Sequence, residues 1–143
     1  MARKHPRQKD GPNVDQHGRT ALHYAAAENN TDEARELIAS GVDVNARDDN
    51  DWTALHFAAQ SNSFEVARLL LEGGAEVDPV DSFGNTPLST AVFNYRGNGE
   101  FILLLRDKNA DPYLENHHGQ SPLALARLIA NYDVAKYFDD LPT

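Results

Sequence analysis

Apolar and polar positions follow one repeating pattern, which is clearest over residues 48–78. A polar, Asp-rich turn precedes an apolar segment at residues 53–59, and a polar break follows at 60–63. A second segment, residues 65–72, carries apolar side chains at helical spacing. Gly73 and its neighbouring glycine then stop it, as glycine does at many helix ends. The pattern predicts a unit made of a turn, two short helices and a glycine stop.

A heading of the type Thr-Pro-Leu-His opens each unit. Its copies start at positions 20, 53, 86 and 121, so the spacings are 33, 33 and 35 residues. They read Thr20-Ala21-Leu22-His23, Thr53-Ala54-Leu55-His56, Thr86-Pro87-Leu88-Ser89 and Ser121-Pro122-Leu123-Ala124. From about residue 15 onward the chain resembles an ankyrin-repeat protein. A 34-residue array of helical hairpins is a weaker match, because it lacks the Asp-rich turn before each heading.

The resemblance implies an all-α solenoid of about four helix-turn-helix repeats joined by hairpin-like loops, at residues 15–47, 48–80, 81–115 and 116–143. The second helices are expected at 32–40 in the first repeat and at about 132–138 in the fourth. Residues 1–13 have no apolar periodicity and are predicted to be a disordered basic arm. Both terminal repeats have polar outer sides, which favours a complete array.

Several positions depart from the pattern. Asp51 stands where the other turns have glycine, which suggests a different turn geometry there. The third repeat has a break longer by two residues, at 95–99. In its second helix Leu103 is expected to point outward and Arg106 takes an apolar position. Asn109 replaces the stop glycine, a substitution that the left-handed conformation tolerates.

Composition narrows the classes of function. The 143 residues carry a net charge of −9, and everything after the basic arm is strongly acidic, which disfavours nucleic acid and favours a basic protein partner. Solubility alone is the simpler explanation of the charge. No apolar run is long enough for a membrane span, and no apolar region follows the basic arm as in a secretory signal. The chain has no cysteine, which fits a cytoplasmic location.

Catalytic motifs are absent from the sequence. The resemblance implies that His23 and His56 brace neighbouring repeats through bonds to backbone and to the heading threonine. His117 and His118 lack the further ligands that a metal site needs. The segment 97–99 lacks the lysine and preceding strand of a phosphate loop, and no nucleophile elbow occurs. We expect no enzyme activity, no cofactor and no metal.

The resemblance places a binding surface on the hairpin tips and the inner helix faces. The candidate contact residues are Arg19, Trp52, Phe83, Asn85, Phe93, Tyr95, Arg96, His117, His118 and Gln120. Trp52 could instead cover its own hairpin, Phe93 could belong to the core, and the 95–99 loop could be a tolerated insertion.

The sequence therefore favours a monomeric protein-protein interaction module. Small bacterial ankyrin proteins suggest a sharper alternative, an immunity protein that blocks a basic toxin enzyme. Two further alternatives are an enzyme with an unfamiliar site and a homodimer formed through Leu103 and the second helices of the third and fourth repeats.

Overall fold

The computed structural model describes residues 14–129 and 133–142. Within these residues it contains seven α-helices, one 3₁₀ helix and no strand. The elements are α1 Ala21–Glu28, α2 Thr31–Ala39, α3 Ala54–Ser61, α4 Phe64–Glu72, α5 Pro87–Phe93, α6 Glu100–Asp107, α7 Pro122–Leu128 and the 3₁₀ helix Val134–Phe138.

The helices form two layers. The first helix of each unit (α1, α3, α5, α7) packs beside the next, and each packs on the second helix of its own unit. The second helices α2, α4 and α6 form the outer layer, in which α4 contacts both α2 and α6. The core between the layers uses the leucine of each heading, and all four are buried: Leu22, Leu55, Leu88 and Leu123. The predicted all-α repeat solenoid is confirmed. In the described ranges no helix has the length and apolar character needed to cross a membrane.

Each heading begins its helix with a side-chain cap. The hydroxyls of Thr20, Thr53, Thr86 and Ser121 accept the backbone N–H three residues later. Such caps satisfy a donor that the helix cannot pair internally. Pro87 and Pro122 occupy the first turn, where a missing N–H is harmless. The first residue of each heading therefore caps the helix that follows it.

The turns before the headings share one geometry. In each, the Oδ1 atom of the first residue accepts two backbone N–H groups, from two and four residues on; the acceptors are Asp15, Asp48, Asp81 and Asn116. Gly18, Gly84 and Gly119 have φ of 75°, 83° and 77°, and Asp51 has φ of 62°. The expectation that the Asp51 turn differs is wrong, because aspartate tolerates the left-handed region.

The predicted bounds of the second helix in the first unit agree with the structure to within a residue. The second helix of the first unit covers Thr31–Ala39, one residue earlier than expected. Gly41, Gly74 and Asn109 have φ of 90°, 98° and 69°, as their places after a helix predict. Leu103 is 49% exposed on α6, and its outward direction is confirmed.

The fourth unit is less regular than the others. Its second helix is a 3₁₀ helix that begins at Val134, and residues 130–132 lie outside the described part of the chain. Arg106 reaches this segment from α6 and donates to both carboxylate oxygens of Asp140, at 2.6 and 2.9 Å. It also donates to the carbonyl of Tyr137 at 2.8 Å. The arginine at an apolar position thus holds the C-terminal segment. The arm predicted at residues 1–13 lies outside the described residues.

Candidate functional site

The hairpin tips form a continuous row. Backbone N–H groups donate from one tip to the next: Asp49 to the carbonyl of His17, Ser82 to that of Asn50, and His117 to that of Phe83, at 2.9, 3.1 and 3.0 Å. The turn geometry places the third residue of each hairpin at its tip. At the third tip this residue is Phe83, which is 61% exposed. The row therefore presents the phenyl ring of Phe83 to solvent on a surface built from backbone hydrogen bonds.

The residue before each heading links its hairpin to the next one. Arg19 Nε lies 3.4 Å from Asp48 Oδ2, and Trp52 Nε1 donates to Asp81 Oδ2 at 2.9 Å. At the third interface the direction reverses, and Asn116 Nδ2 donates to Asn85 Oδ1 at 2.9 Å. Sequence reasoning missed these links, although the positions recur at a fixed offset. Arg19 Nε, Trp52 Nε1 and Asn85 Oδ1 therefore serve the array itself.

The ring of Trp52 packs on its own repeat. It stacks on His56 with centroids 5.4 Å apart and meets the edge of Phe57 at 4.9 Å. The guanidinium of Arg19 lies over the ring of Phe57, 5.2 Å from its centroid. Trp52 is half-buried, so only part of its ring remains for a partner.

The two heading histidines bridge neighbouring repeats. His23 Nδ1 accepts the N–H of Thr20 at 2.9 Å, and its Nε2 donates to the carbonyl of Trp52 at 2.9 Å. His56 repeats both bonds with Thr53 and Asn85, at 3.1 and 2.9 Å. Burial lowers the pKa of His23 and lowers that of His56 to about 4. Both rings are neutral braces, as predicted, and their nitrogens are unavailable to a metal.

A groove of about 340 Å³ opens on the inner face beside the hairpin row. Its walls combine two aromatic rings, several side-chain amides and hydroxyls, and one carboxylate. They comprise Trp52, Gln60, Asp81, Asn85, Ser89, Thr90, Phe93, Asn94, Asn116, Gln120 and Leu125. Phe93 is 69% exposed at its rim, which excludes the core position considered from the sequence. No basic side chain is among these lining residues.

The inserted loop at residues 95–99 packs against the C-terminal segment. Tyr95 is buried, and its hydroxyl lies 3.3 Å from that of Tyr137. This hydrogen bond, together with burial, raises the pKa of Tyr95 to about 12. A Cβ at Gly99 would overlap the Tyr137 ring, so the loop approaches that ring through bare backbone. Tyr95 is therefore removed from the exposed surface on which the sequence placed it.

The model of ankyrin repeats in three copies matches residues 4–81 and 30–116. The chain belongs to the ankyrin-repeat family. Ankyrin repeats are generally protein-protein interaction modules and typically non-catalytic. The match stops before the fourth heading, which begins α7, so the number of four repeats stays a prediction. Comparison with curated proteins gave no match.

The remaining predicted contact residues have distinct places on the ankyrin scaffold. Arg96 is exposed and donates to the carbonyl of Tyr95 at 2.9 Å, close to a second cavity of about 310 Å³. His117 and His118 are exposed on the last hairpin. Gln120 is half-buried in the groove. Within residues 14–129 and 133–142, no three His, Cys, Asp or Glu side chains are grouped to hold a metal ion.

Proposed function

We propose that this ankyrin-repeat protein is a non-catalytic module that binds another protein through its hairpin tips and its inner groove. The observation that carries the proposal is the exposure of two aromatic residues on one side of the array. Phe83 at a hairpin tip and Phe93 at the groove rim are 61% and 69% exposed. Large exposed aromatic rings on a rigid scaffold are the usual anchors of protein interfaces.

The order of the surrounding surface supports this function. Tip-to-tip backbone bonds and the links from Trp52 and Asn85 fix the hairpins before any partner arrives. A preformed surface loses little conformational freedom on binding, so more of the contact energy remains as affinity. Phe83, Phe93, His117, His118 and Gln120 are the residues through which we propose direct contact.

The residues that would attract a charged partner lie on other surfaces than the residues that would contact it. Many exposed acidic residues lie on the outer helices: Asp32, Glu33, Glu36, Glu65, Glu72, Glu100 and Asp107. The groove, by contrast, is lined by a single carboxylate, that of Asp81. With a net charge of −9, the protein would attract a basic partner over long range and hold it mainly through uncharged contacts.

A second candidate function follows from the same acidity. A basic toxin enzyme, such as a nuclease, is a chemically suitable partner for an acidic immunity protein of this size. This candidate predicts one tight one-to-one complex in which the enzyme loses activity. The lack of cysteine is compatible with the cytoplasmic location that we propose. We also propose that the protein is a monomer.

The test is an affinity capture from the source cells, with bound proteins identified by mass spectrometry. The wild type is compared with the double variant Phe83→Ala, Phe93→Ala, whose changes lie at exposed positions and should leave the fold intact. Leu103→Ala is the matched control, because Leu103 is also an exposed apolar residue but lies on the outer helix α6.

We expect a stoichiometric partner that the double variant loses and the control retains. A partner that is still captured by the double variant but not by Leu103→Ala would place the interface on the outer layer and overturn the proposed surface. Inhibition of the captured protein, measured with its own substrate, decides between simple binding and the immunity function. Light scattering of the free protein at high concentration tests the monomer.

A further inference from the structure

The interface between the third and fourth units lacks the histidine brace that the first two interfaces contain. His23 and His56 each donate to the carbonyl of the residue before the next heading, which is Trp52 or Asn85. At the third interface the corresponding side chain is Ser89. A serine hydroxyl ends at the γ position and cannot span the distance that an imidazole spans.

At the third interface, the carbonyl in the position equivalent to those of Trp52 and Asn85 belongs to Gln120. The carbonyls of Trp52 and Asn85 each accept two bonds, one from the hairpin backbone and one from an imidazole. Gln120 accepts the hairpin bond, from Asn116 N–H at 2.9 Å, and an imidazole is missing from the second position. Since a carbonyl oxygen has two lone pairs, Gln120 retains acceptor capacity at this place.

The groove described above lies at the same interface. Ser89, Gln120 and Leu125 line it from the third and fourth units, and Trp52 and Phe93 supply aromatic walls. Its volume of about 340 Å³ falls within the range of sites for small ligands or single side chains of a partner. The missing imidazole and the open space thus coincide.

Three hydrogen-bond donors that line the groove are engaged within the protein. Trp52 Nε1 donates to Asp81, Asn116 Nδ2 to Asn85, and Asn94 Nδ2 to the carbonyl of Thr90. These three groups therefore do not compete for the remaining acceptor position of the Gln120 carbonyl. The lining includes one carboxylate and no basic side chain, so the site is complementary to a cationic donor.

We propose that the groove receives an arginine side chain of the protein partner, whose guanidinium takes the place of the missing imidazole. It donates to the Gln120 carbonyl and to neighbouring amide oxygens and lies against the exposed ring of Phe93. This proposal rests on the proposed function, and it names the chemistry of the partner at that surface.

Arginine fits this site better than other side chains do. A guanidinium is planar like imidazole, carries five N–H donors and stacks on aromatic rings. The ammonium of lysine is a compact, strongly hydrated charge that would make less contact with the flat, partly apolar walls of the groove. A carboxylate would meet Asp81 and find no cation, and a purely apolar side chain would leave the oxygen acceptors unpaired.

The probe is Nα-acetyl-arginine amide, titrated into the ¹⁵N-labelled protein and followed by NMR. Nα-acetyl-citrulline amide is the matched control ligand, because it keeps the shape and removes the charge. We expect arginine to shift the indole N–H of Trp52 and the side-chain amides of Asn85 and Asn116, with an affinity at least tenfold above that of citrulline. Equal binding of the two ligands, or shifts confined to residues outside the groove, would overturn the proposal.

Ser89→Ala and Ser89→His give a matched pair of variants. Alanine keeps the space beside the Gln120 carbonyl open and should retain arginine binding within about threefold. Histidine should fill that space, restore the brace and weaken arginine binding at least tenfold. A higher melting temperature for Ser89→His would accompany the loss, which excludes unfolding as its cause. If Ser89→His binds arginine as well as wild type, the slot is not the site. Phe93→Ala, at an exposed position, provides a second test should Ser89→His fold poorly, and unchanged binding in it would also contradict the proposal.

The captured partner separates this inference from the proposed function. A partner that binds wild type and Ser89→His equally, but loses binding to the Phe83→Ala, Phe93→Ala variant, would retain the interaction surface and reject the arginine slot. Absence of any protein partner, with arginine binding intact, would instead reject the proposed function and leave the slot as a site for small guanidinium compounds.

Discussion

The indole N–H of Trp52 donates to Oδ2 of Asp81 at 2.9 Å, joining two hairpins across 29 residues of sequence. The other oxygen of the same carboxylate accepts the N–H groups of Phe83 and Asn85, both at 2.9 Å. A single buried aspartate therefore organises its own turn and receives a bond from the previous repeat.

Asp81→Ala should destabilise the protein by about 3 kcal/mol, because it removes three hydrogen bonds to a charged acceptor in a buried site. Trp52→Phe removes only the indole bond and should cost about 1 kcal/mol. Urea unfolding followed by far-UV circular dichroism measures both. In a double-mutant cycle with Asp81→Asn, which keeps the turn acceptor, the coupling to Trp52→Phe should be about 1 kcal/mol. Additive single changes would show that the indole bond contributes nothing.

The stability of the fold should decrease as the pH falls from 7.5 to 5. The pKa of His56 drops from 6.5 to about 4 in the folded protein, so the unfolded chain binds more protons in this window. The stability that neutral His56 provides is therefore complete above its unfolded pKa. About 2 kcal/mol of it should be lost by pH 5. His23, whose pKa is also lowered by burial, acts in the same direction.

Urea unfolding at several pH values measures this dependence. His56→Gln is the control, because glutamine does not titrate in this range. The variant should be less stable at pH 7.5 but show a flatter decrease toward pH 5. An equally steep decrease in the variant would assign the pH dependence to other groups.

Gly99→Ala should destabilise the protein by about 1–3 kcal/mol, the usual cost of overpacking. The added methyl would overlap the Tyr137 ring, which would have to leave its edge contact with Tyr95. The change should cost far less in a Tyr137→Ala background, where that ring is gone. Equal costs in both backgrounds, measured by thermal unfolding, would show that the ring is not the obstacle.

Asp78→Asn should stabilise the protein at pH 7 by about 0.5 kcal/mol, a modest gain because the site is only half-buried. Burial raises the pKa of Asp78, and its Oδ1 has no hydrogen-bond partner, while Oδ2 accepts the N–H of Asp111 at 3.0 Å. A raised carboxyl pKa means that the charged form costs stability as the pH rises above the unfolded value, and this cost disappears in acid. The gain should therefore vanish near pH 3. The preceding repeat has Asn45 at this position, accepting the N–H of Glu76 at 2.8 Å.

The repeat period accounts for most of what could be predicted from the sequence. Headings, caps and left-handed stops depend on local backbone chemistry, so Thr20, Gly41 and Asn109 could be assigned from their neighbours alone. The brace made by His56 followed from the family resemblance. These assignments rest on short-range rules that recur in every unit.

Contacts between distant segments could not be predicted in the same way. The burial of Tyr95 depends on Tyr137, which lies 42 residues further on in a segment with weak periodicity. The choice between the exposed and the core position of Phe93, and the bond of Trp52 to the next repeat, depend on how neighbouring repeats stack, and a single unit does not reveal this. The offset of 29 residues shared by the pairs Arg19–Asp48 and Trp52–Asp81 was available in the sequence, and only its structural meaning was missing.

Each Asx side chain in the hairpin row serves its own turn with one polar atom, and those of Asp48, Asp81 and Asn116 serve a neighbouring repeat with the other. Bending one hairpin away from the next would therefore break a side-chain link and a backbone bond together. The row therefore resists bending as a unit, because its links are coupled in this way. A protein that binds this row without matching its shape would have to break these bonds first, so the row would favour partners that already fit it.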